Sequence, residues 1–550
     1  MPTHSHHPPV SIPPADVWSF LFNRTDREYP DEHVIFSDLA SKSKHTFRDI
    51  RNASTNIGRG LQTQWNWKKG DVMVLFTPNN ADIATVTFGT LWAGGNVCPL
   101  NNLYTVEELA SLLKSSGAKG LTTHISCLEI ALAAALAVGL PRDRIILIGD
   151  PDPHGRAIHF SSLSVKHQRT LDGSVSEKAQ INPRKDLAFL VYSSGTTGLP
   201  KGVMLSHENV VVNILQCNTP EAHMLDWHRD TLISFLPMFH VYGISALIFL
   251  PLYRGVTVHI MQRFNLEQFC SSIEVNKITV AYLVPPVVLL LTKIPVVEKY
   301  NLKSLRIMHC AAAPLSNDLI DMAYKRLKVP IIQTYGMSET SPGISSQSWA
   351  EWDKPRGSVG KPLPSVSIKI MFDTKEVAAG QEGEIWIKGL NVFRGYYQNP
   401  KATQESIVNG WFRTGDIGYL DEGGNLFLTD RLKELIKYNG FQVAPAQLEG
   451  LLLGHETVED CAVVGVWDKE RQTELPRAYV VVAKGFAAGK ELERDVKDWL
   501  ARKVAPHKQL RGGIRFVDAI PKSAAGKVLR KVLIEQAKNE EQGRSLGPKL

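Results

Sequence analysis

Residues 192–203 read Tyr-Ser-Ser-Gly-Thr-Thr-Gly-Leu-Pro-Lys-Gly-Val and follow straight on an apolar run at 187–192. A short apolar run bounded by glycines predicts a buried strand. Gly195 and Gly198 permit a sharp loop that turns backbone N–H groups toward an anion, and the hydroxyls of Ser193, Ser194, Thr196 and Thr197 add donors. Lys201 supplies a mobile positive charge, and Pro200 stiffens the exit. The stretch has the chemistry of a phosphate cradle. Its spacing is not G-x-x-x-x-G-K-S/T, the loop that opens directly onto a helix. A flexible linker does not fit the context either, because 203–205 is apolar again.

Around this loop the chain alternates strand and helix patterns. Apolar strands at 72–76, 120–123 and 145–148 interleave with helical periodicity at 81–92, 106–115 and 128–138. That rhythm predicts a parallel sheet covered by helices. It resumes after the loop with a helix from Glu208, strands at 232–236 and 256–261, and a helix from Ser245. Two doubly wound lobes are the simplest architecture, the first running from Val17 to about Ile181. Residues 154–176 are polar and read as a surface connection. Beyond Val359, short strands at 366–371, 383–388 and 418–428 with Gly and Asp at the breaks predict a small β subdomain. A fresh α+β pattern begins near Arg431, with strands at 458–466 and 479–482 and a helix that puts Leu492, Val496, Trp499, Leu500 and Val504 on one face. The expected domains are 1–430 and 431–550.

At 550 residues, 43% hydrophobic and 21% charged, the chain is ordinary globular material, too long for one core. A formal charge of +7 is small for this size and is not gathered into a basic run with aromatics, so no nucleic-acid partner is expected. Six separated cysteines without a C-x-x-C pair argue against a disulfide framework and a zinc site. The N-terminal Met-Pro-Thr-His-Ser-His-His-Pro-Pro lacks a signal-peptide pattern, and its histidines read as a disordered tail. The longest apolar stretches, 130–140 and 280–291, are too short for a bilayer span. The terminal Pro548-Lys549-Leu550 resembles the S-K-L peroxisomal address with Pro in place of Ser, so an import receptor is an expected partner and the cytoplasm the alternative location.

Three more stretches sit where α/β sheets place ligand contacts. Phe239-His240-Val241-Tyr242-Gly243 follows a strand; Ala311-Ala312-Ala313-Pro314 and Gln333-Thr334-Tyr335-Gly336-Met337-Ser338-Glu339 follow two others. A small-residue turn and an aromatic can sandwich a flat base. Asp416, after a Thr-Gly turn, is suited to accept from ribose hydroxyls, although Asp at a turn is commonly a backbone cap. Lys527 ends a Pro-Lys-Ser-Ala-Ala-Gly-Lys loop that leads into a helix expected at 527–537.

Together these motifs, in this order over nearly the whole chain, resemble the adenylate-forming superfamily, which includes acyl-CoA synthetases and 4-coumarate-CoA ligase-like enzymes. The resemblance implies an α/β fold: a large N-terminal domain of two doubly wound lobes plus a small β subdomain, and a small mobile α+β C-terminal domain. It implies that a carboxylic acid is activated by ATP as acyl-AMP and passed to coenzyme A, with Mg²⁺ escorting ATP. A stand-alone enzyme that loads a carrier protein, or a nucleotide-binding scaffold without catalysis, is the alternative.

Residue by residue, the resemblance assigns phosphates to Ser193, Ser194, Gly195, Thr196, Thr197, Gly198 and Lys201, adenine to Ala312, Ala313, Tyr335 and, at its edge, Gln333, and counts Thr334 and Ser338 of the same motif among the nucleotide-binding residues. It gives Mg²⁺ to Glu339, ribose to Asp416, and ribose or phosphate to Arg431. Lys433 matches the hinge, and Lys437, Gly440 and Gln442 align near the adenylate and CoA channel. Arg263 replaces a lysine that meets a CoA phosphate, and Asn439 replaces another CoA-contacting lysine. His240, Tyr242, Ala246, Ala311 and Thr334 border the acyl site, Thr334 standing where coumarate ligases carry glycine. Lys527, with His240 and Lys201, is the implied catalytic set, its charge opposing repulsion between carboxylate and α-phosphate.

Overall fold

The computed structural model describes residues 2–165, 176–193, 200–221, 224–432, 434–439, 441–468, 471–523 and 526–545. Its elements form for local reasons legible in the chain. The helix Val106–Ser116 begins at a capping box, with the Thr105 side chain accepting from the Glu108 N–H and the Glu108 carboxylate from the Thr105 N–H. It ends at Gly117, whose φ of 67° is the left-handed cap that favours glycine. The strand Val72–Phe76 is buried at all five positions, as a central parallel strand with helices on both faces must be.

Two large sheets form the bulk of the protein. The first runs Lys201–Ser206, Leu187–Ser193, Asn96–Leu100, Val72–Phe76, Ala118–His124, Ile145–Ile148, Ile158–His159. Its pairings are parallel except for the antiparallel hairpin of the first two strands, where Lys201 faces Ser193. The phosphate-loop sequence therefore connects two antiparallel strands, its residues 194–199 lying outside the described ones. The second sheet has a parallel centre, Ile331–Gly336, Ile307–Cys310, Val280–Leu283, Thr231–Ser234, Thr257–Ile260, Val34–Asp38, with antiparallel strands at its edges.

Val34–Asp38 corrects the expectation of a first lobe contiguous from Val17. This early strand crosses to the second sheet and pairs with Thr257–Ile260, burying Ile35 and Phe36 completely. Its apolar content demands a sheet without saying which one. The tail is also ordered from its start, since Thr3–His4 pairs antiparallel with Ser367–Ile368 and the Val10 N–H donates to Ser365 Oγ at 3.3 Å.

The third sheet is antiparallel and holds Ser367–Phe372, Gly383–Lys388, Trp411–Leu420 and Leu426–Arg431. From residue 436 onward the chain keeps a hydrophobic core of its own, including Leu448, Val463, Val480, Val496 and Leu500. It is built on Val458–Asp468, Thr473–Val482 and Ile514–Phe516 with the helices Pro445–Leu452 and Lys490–Ala501. Among the described residues no helix is long and apolar enough to cross a membrane.

Candidate active site

A cavity of about 490 Å³ opens where strand ends of the second sheet meet the hairpin of the first, the third sheet and one loop of the C-terminal part. Parallel strands deliver their following loops to one edge, so residues far apart in the chain converge there. Ser193 and Lys201 reach the wall from the hairpin, and His240, Tyr242 and Ala246 from the turn after Thr231–Ser234. Ala311, Ala312, Thr334, Tyr335, Ser338 and Glu339 come from two neighbouring strand ends. Asp416 and Arg431 come from the third sheet, and Lys527 closes the far side.

The turn that carries His240 is tight. A Cβ on Gly243 would lie 2.2 Å from the carbonyl oxygen of Pro237, so glycine is required by close approach. His240 caps the short helix that follows, its Nδ1 accepting from the Tyr242 N–H at 3.2 Å. That bond assigns the proton to Nε2. Burial, and then the charge of Lys527, push the imidazole down to about 3, so it is a neutral donor. Ala312 holds a φ of 75°, a left-handed conformation uncommon for a residue with a Cβ and least costly for a small one.

Two tyrosines order the two carboxylates. Tyr335 donates its hydroxyl to Asp416 Oδ2 at 2.5 Å, and Arg431 Nε stands 3.3 Å from Asp416 Oδ1. Burial raises the Asp416 carboxyl while Arg431 and Tyr335 work against the rise. Tyr396 donates to Glu339 Oε1 at 3.0 Å, and its ring lies 4.9 Å beneath the Lys201 ammonium. Glu339 too is raised by burial, with Lys527 and Arg431 among the charges that lower it.

Lys527 sits on a tight turn. Its carbonyl accepts from the Ser523 N–H at 2.8 Å, and its own N–H donates to Ser523 Oγ at 3.2 Å. The helix begins only at Arg530, which corrects the expected start at 527 and leaves the lysine on a loop. Burial first, then the charge of Arg431, push Lys527 down to about 8, against the opposing pull of Asp416, Glu339 and Glu434.

Several expected contacts fall elsewhere. Gln333 stands behind the wall, its N–H donating to Gln347 Oε1 at 2.7 Å and its amide to the Ser358 carbonyl at 3.4 Å, so its side chain is turned inward rather than toward a base. Ala313 is beside the cavity but not on its wall. Arg263 lies off the wall, near enough to His124 and Cys127 for its charge to act on both. Lys437 is exposed, its backbone N–H on Glu474. Ser194, Gly195, Thr196, Thr197, Gly198, Lys433 and Gly440 lie outside the described residues, as does the side chain of Gln442.

Sequence reasoning missed Tyr396, which a loop of ordinary composition delivers to Glu339, and His309, whose strand pattern marks it only as core. His309 is 1% exposed yet lies on the wall beside Tyr282, with ring centroids 4.7 Å apart. Burial pushes it down to about 3, so it adds no charge to the wall that Tyr242, Ala246, Ala311 and Thr334 also line.

The family described as AMP-binding enzyme matches residues 22–397, and the AMP-binding enzyme C-terminal domain matches 447–527. Probable 4-coumarate–CoA ligase 1 of Dictyostelium discoideum is 36% identical over 543 residues, covering 96% of each chain. 4-Coumarate:CoA ligase 1 of Petunia hybrida is 37% identical over 504 residues, covering 90% of this chain and 89% of the other. Among solved structures, ATP-bound MatB from Rhodopseudomonas palustris superposes with a TM-score of 0.82 at 27% identity, covering 96% of this chain and 99% of that one. A nucleotide-sized cavity, an ordered carboxylate pair facing a half-buried lysine, and these likenesses along nearly the whole length converge: the chain belongs to the adenylate-forming AMP-binding enzymes, as an AMP-forming acyl-CoA ligase.

Proposed function

We propose that the acid activated here is an aryl-propenoic acid of the 4-coumarate type. The observation that carries this reading is the uncharged acyl end of the cavity, where Tyr242, Tyr282 and neutral His309 supply aromatic walls and polar tips without a counter-ion for a charged tail. The names of the ligases from Dictyostelium and Petunia support it.

In the first half-reaction a carboxylate oxygen bonds to the α-phosphorus of ATP, and the bond to the bridging oxygen breaks as pyrophosphate leaves. The barrier is repulsion between anions. Lys201 and Lys527 oppose it from two sides, and the His240 Nε2–H holds the acyl oxygen. Asp416, aligned by Tyr335 and Arg431, has lone pairs left to accept from ribose hydroxyls. Glu339 fits a hard divalent cation: a half-buried carboxylate on the wall with one oxygen steadied by Tyr396. Mg²⁺ held there would supply positive charge to the triphosphate. In the second half-reaction the CoA sulfur bonds to the acyl carbon, AMP leaves, and the thiol proton passes to water. Lys527 would then withdraw as the part beyond a hinge at 431–433 turns, 1–430 and 431–550 acting as the two moving bodies. Where the protein ends at Leu550, Pro548-Lys549-Leu550 would direct it to the peroxisome; a fluorescent fusion carrying this tail that stayed diffuse would end that reading.

The deciding experiment is pyrophosphate release across a panel of benzoic, cinnamic, medium-chain and amino acids, with and without CoA. Cinnamic acids should lead the panel. A preference for aliphatic or amino acids would overturn the aryl reading, and turnover requiring a carrier protein instead of CoA would overturn the thiol.

A further inference from the structure

The helix Pro285–Lys293 of the large domain touches the C-terminal part at both of its ends. At its start, the backbone of Gly526, next to Lys527, lies so close that a Cβ there would be 3.3 Å from Val284 and 3.4 Å from Pro286. At its other end, about 13 Å away at 1.5 Å per residue, the Lys293 ammonium donates to the carbonyls of Leu453, at 3.3 Å, and Val458. Leu453 is the C-cap of the helix Pro445–Leu452, so the cation plugs the negative end of a helix in the other domain.

We propose that Lys293 is a positioning residue for adenylation: its ammonium, on the carbonyls of Leu453 and Val458, holds the C-terminal domain in the orientation that places Lys527 in the cavity. This rests on the two-orientation reading above. The latch is built to release. Both acceptors are neutral, so separating the domains returns one cation to water and strands no buried counter-charge. Burial lowers the pKa of this ammonium, and Cys461, Glu459 and Asp460 of the C-terminal domain pull against the fall. Asp460 is itself engaged by Lys522 at 2.6 Å, a bond within the C-terminal part that travels with the loop of Lys527. Two further approaches line the same seam. A Cβ on Gly450 would lie 3.1 Å from Ser316, and one on Gly454 3.0 Å from Asp318. These contacts are small and close, giving fit without a directional hold; the charged contacts of the seam are Lys293 at the end of the helix Pro445–Leu452 and Asp430 at its start, whose carboxylate accepts from the Ala446 N–H at 3.1 Å. Arg326 caps the carbonyls of Thr292 and Ile294, so the end of the helix that presents Lys293 is fixed from its own side.

The test uses the full-length protein and two assays: pyrophosphate release from ATP plus the fastest acid of the panel, and AMP release from the matching synthetic acyl-AMP plus CoA. Lys293→Met keeps the stem and removes the donors. It should slow adenylation by about tenfold or more, the scale of a hydrogen bond to a charged group, and leave thioester formation unchanged or faster. Lys293→Arg, which keeps charge and donors, should recover most of the loss. Unchanged adenylation in Lys293→Met overturns the latch, and so does a fall of both half-reactions by the same factor with a lowered unfolding temperature. Lys527→Ala run alongside separates the two readings. If it loses adenylation while Lys293→Met is inert, the latch alone is wrong; if it keeps adenylation, the two-orientation reading fails and takes the latch with it.

Discussion

Glu339 and Lys527 face the same cavity, and both are half-buried, but they get there by different physics. Glu339 follows a strand of the second sheet, and its carboxylate is held by Tyr396 of the same large domain. Its position is over-determined by a continuous core. Lys527 hangs on a loop of a domain with a separate core, and reaches the cavity only because that domain rests against the first at a seam of a few close contacts. On the two-orientation reading proposed above, the carboxylates are permanent features of the site, whereas the lysine is a feature of one orientation. The seam also carries apolar contacts, Ile417 packing with Leu435 and Ala444, but the C-terminal part keeps a core of its own, and separate cores are where relative domain motion is expected.

The strongest way to break this comparison is Lys527→Ala. Losing an electrostatic contact made in the transition state costs about 2.7–4 kcal/mol, roughly 10²–10³ in rate. Adenylation should fall by that factor, while thioester formation from pre-made acyl-AMP is spared. Proportional loss of both steps, read in paired pyrophosphate and AMP assays, would mean that one fixed site does all the chemistry.

Within the permanent half, Thr334→Gly sharpens the comparison by touching the acid and leaving the lysine alone. One side chain at a pocket wall changes discrimination by about 1–3 kcal/mol. Bulkier ring-substituted acids should gain on small ones in kcat/KM across the panel. An unchanged ranking would show that Thr334 faces away from the acid.

The smallest effect expected is in pH. Lys527 is needed charged, and burial has brought it down to about 8, so the ammonium is lost as pH rises through that value. The kcat/KM of adenylation, which reports the free enzyme, should decline above about pH 8, and Lys527→Arg should carry the decline to higher pH. His240, neutral down to about 3, should contribute no acidic limb near neutrality. A profile flat to pH 10 would place the lysine outside the cavity in the free enzyme.

Much of the architecture was legible because its signals are local. The strands Val72–Phe76, Ile145–Ile148 and Gly383–Lys388 lie where alternation and apolar runs put them. The face of Leu492, Val496, Trp499, Leu500 and Val504 does cover the C-terminal core. What was not legible depends on pairing at long range. Nothing around Val34–Asp38 says that it joins a strand more than two hundred residues away, and nothing around Gln333 says that its amide turns to Ser358. Tyr396 looks like any loop aromatic until the hairpin strand at Val203 bridges to it and brings its hydroxyl to Glu339.

The chain by itself determined the chemistry on offer: a hydroxyl- and glycine-rich loop with Lys201, a lone carboxylate after a strand end at Glu339 and another after a Thr-Gly pair at Asp416, and a lysine on a turn near the C-terminus. Residue type and short spacing carry that information, because backbone geometry and ionisation are local properties. Only the tertiary structure decided which groups meet. Tyr335 and Asp416 are 81 residues apart, and Lys293 and Val458 are 165 apart. Such contacts are set by strand order, crossover and domain docking, which depend on how whole faces bury against each other rather than on any one stretch of sequence.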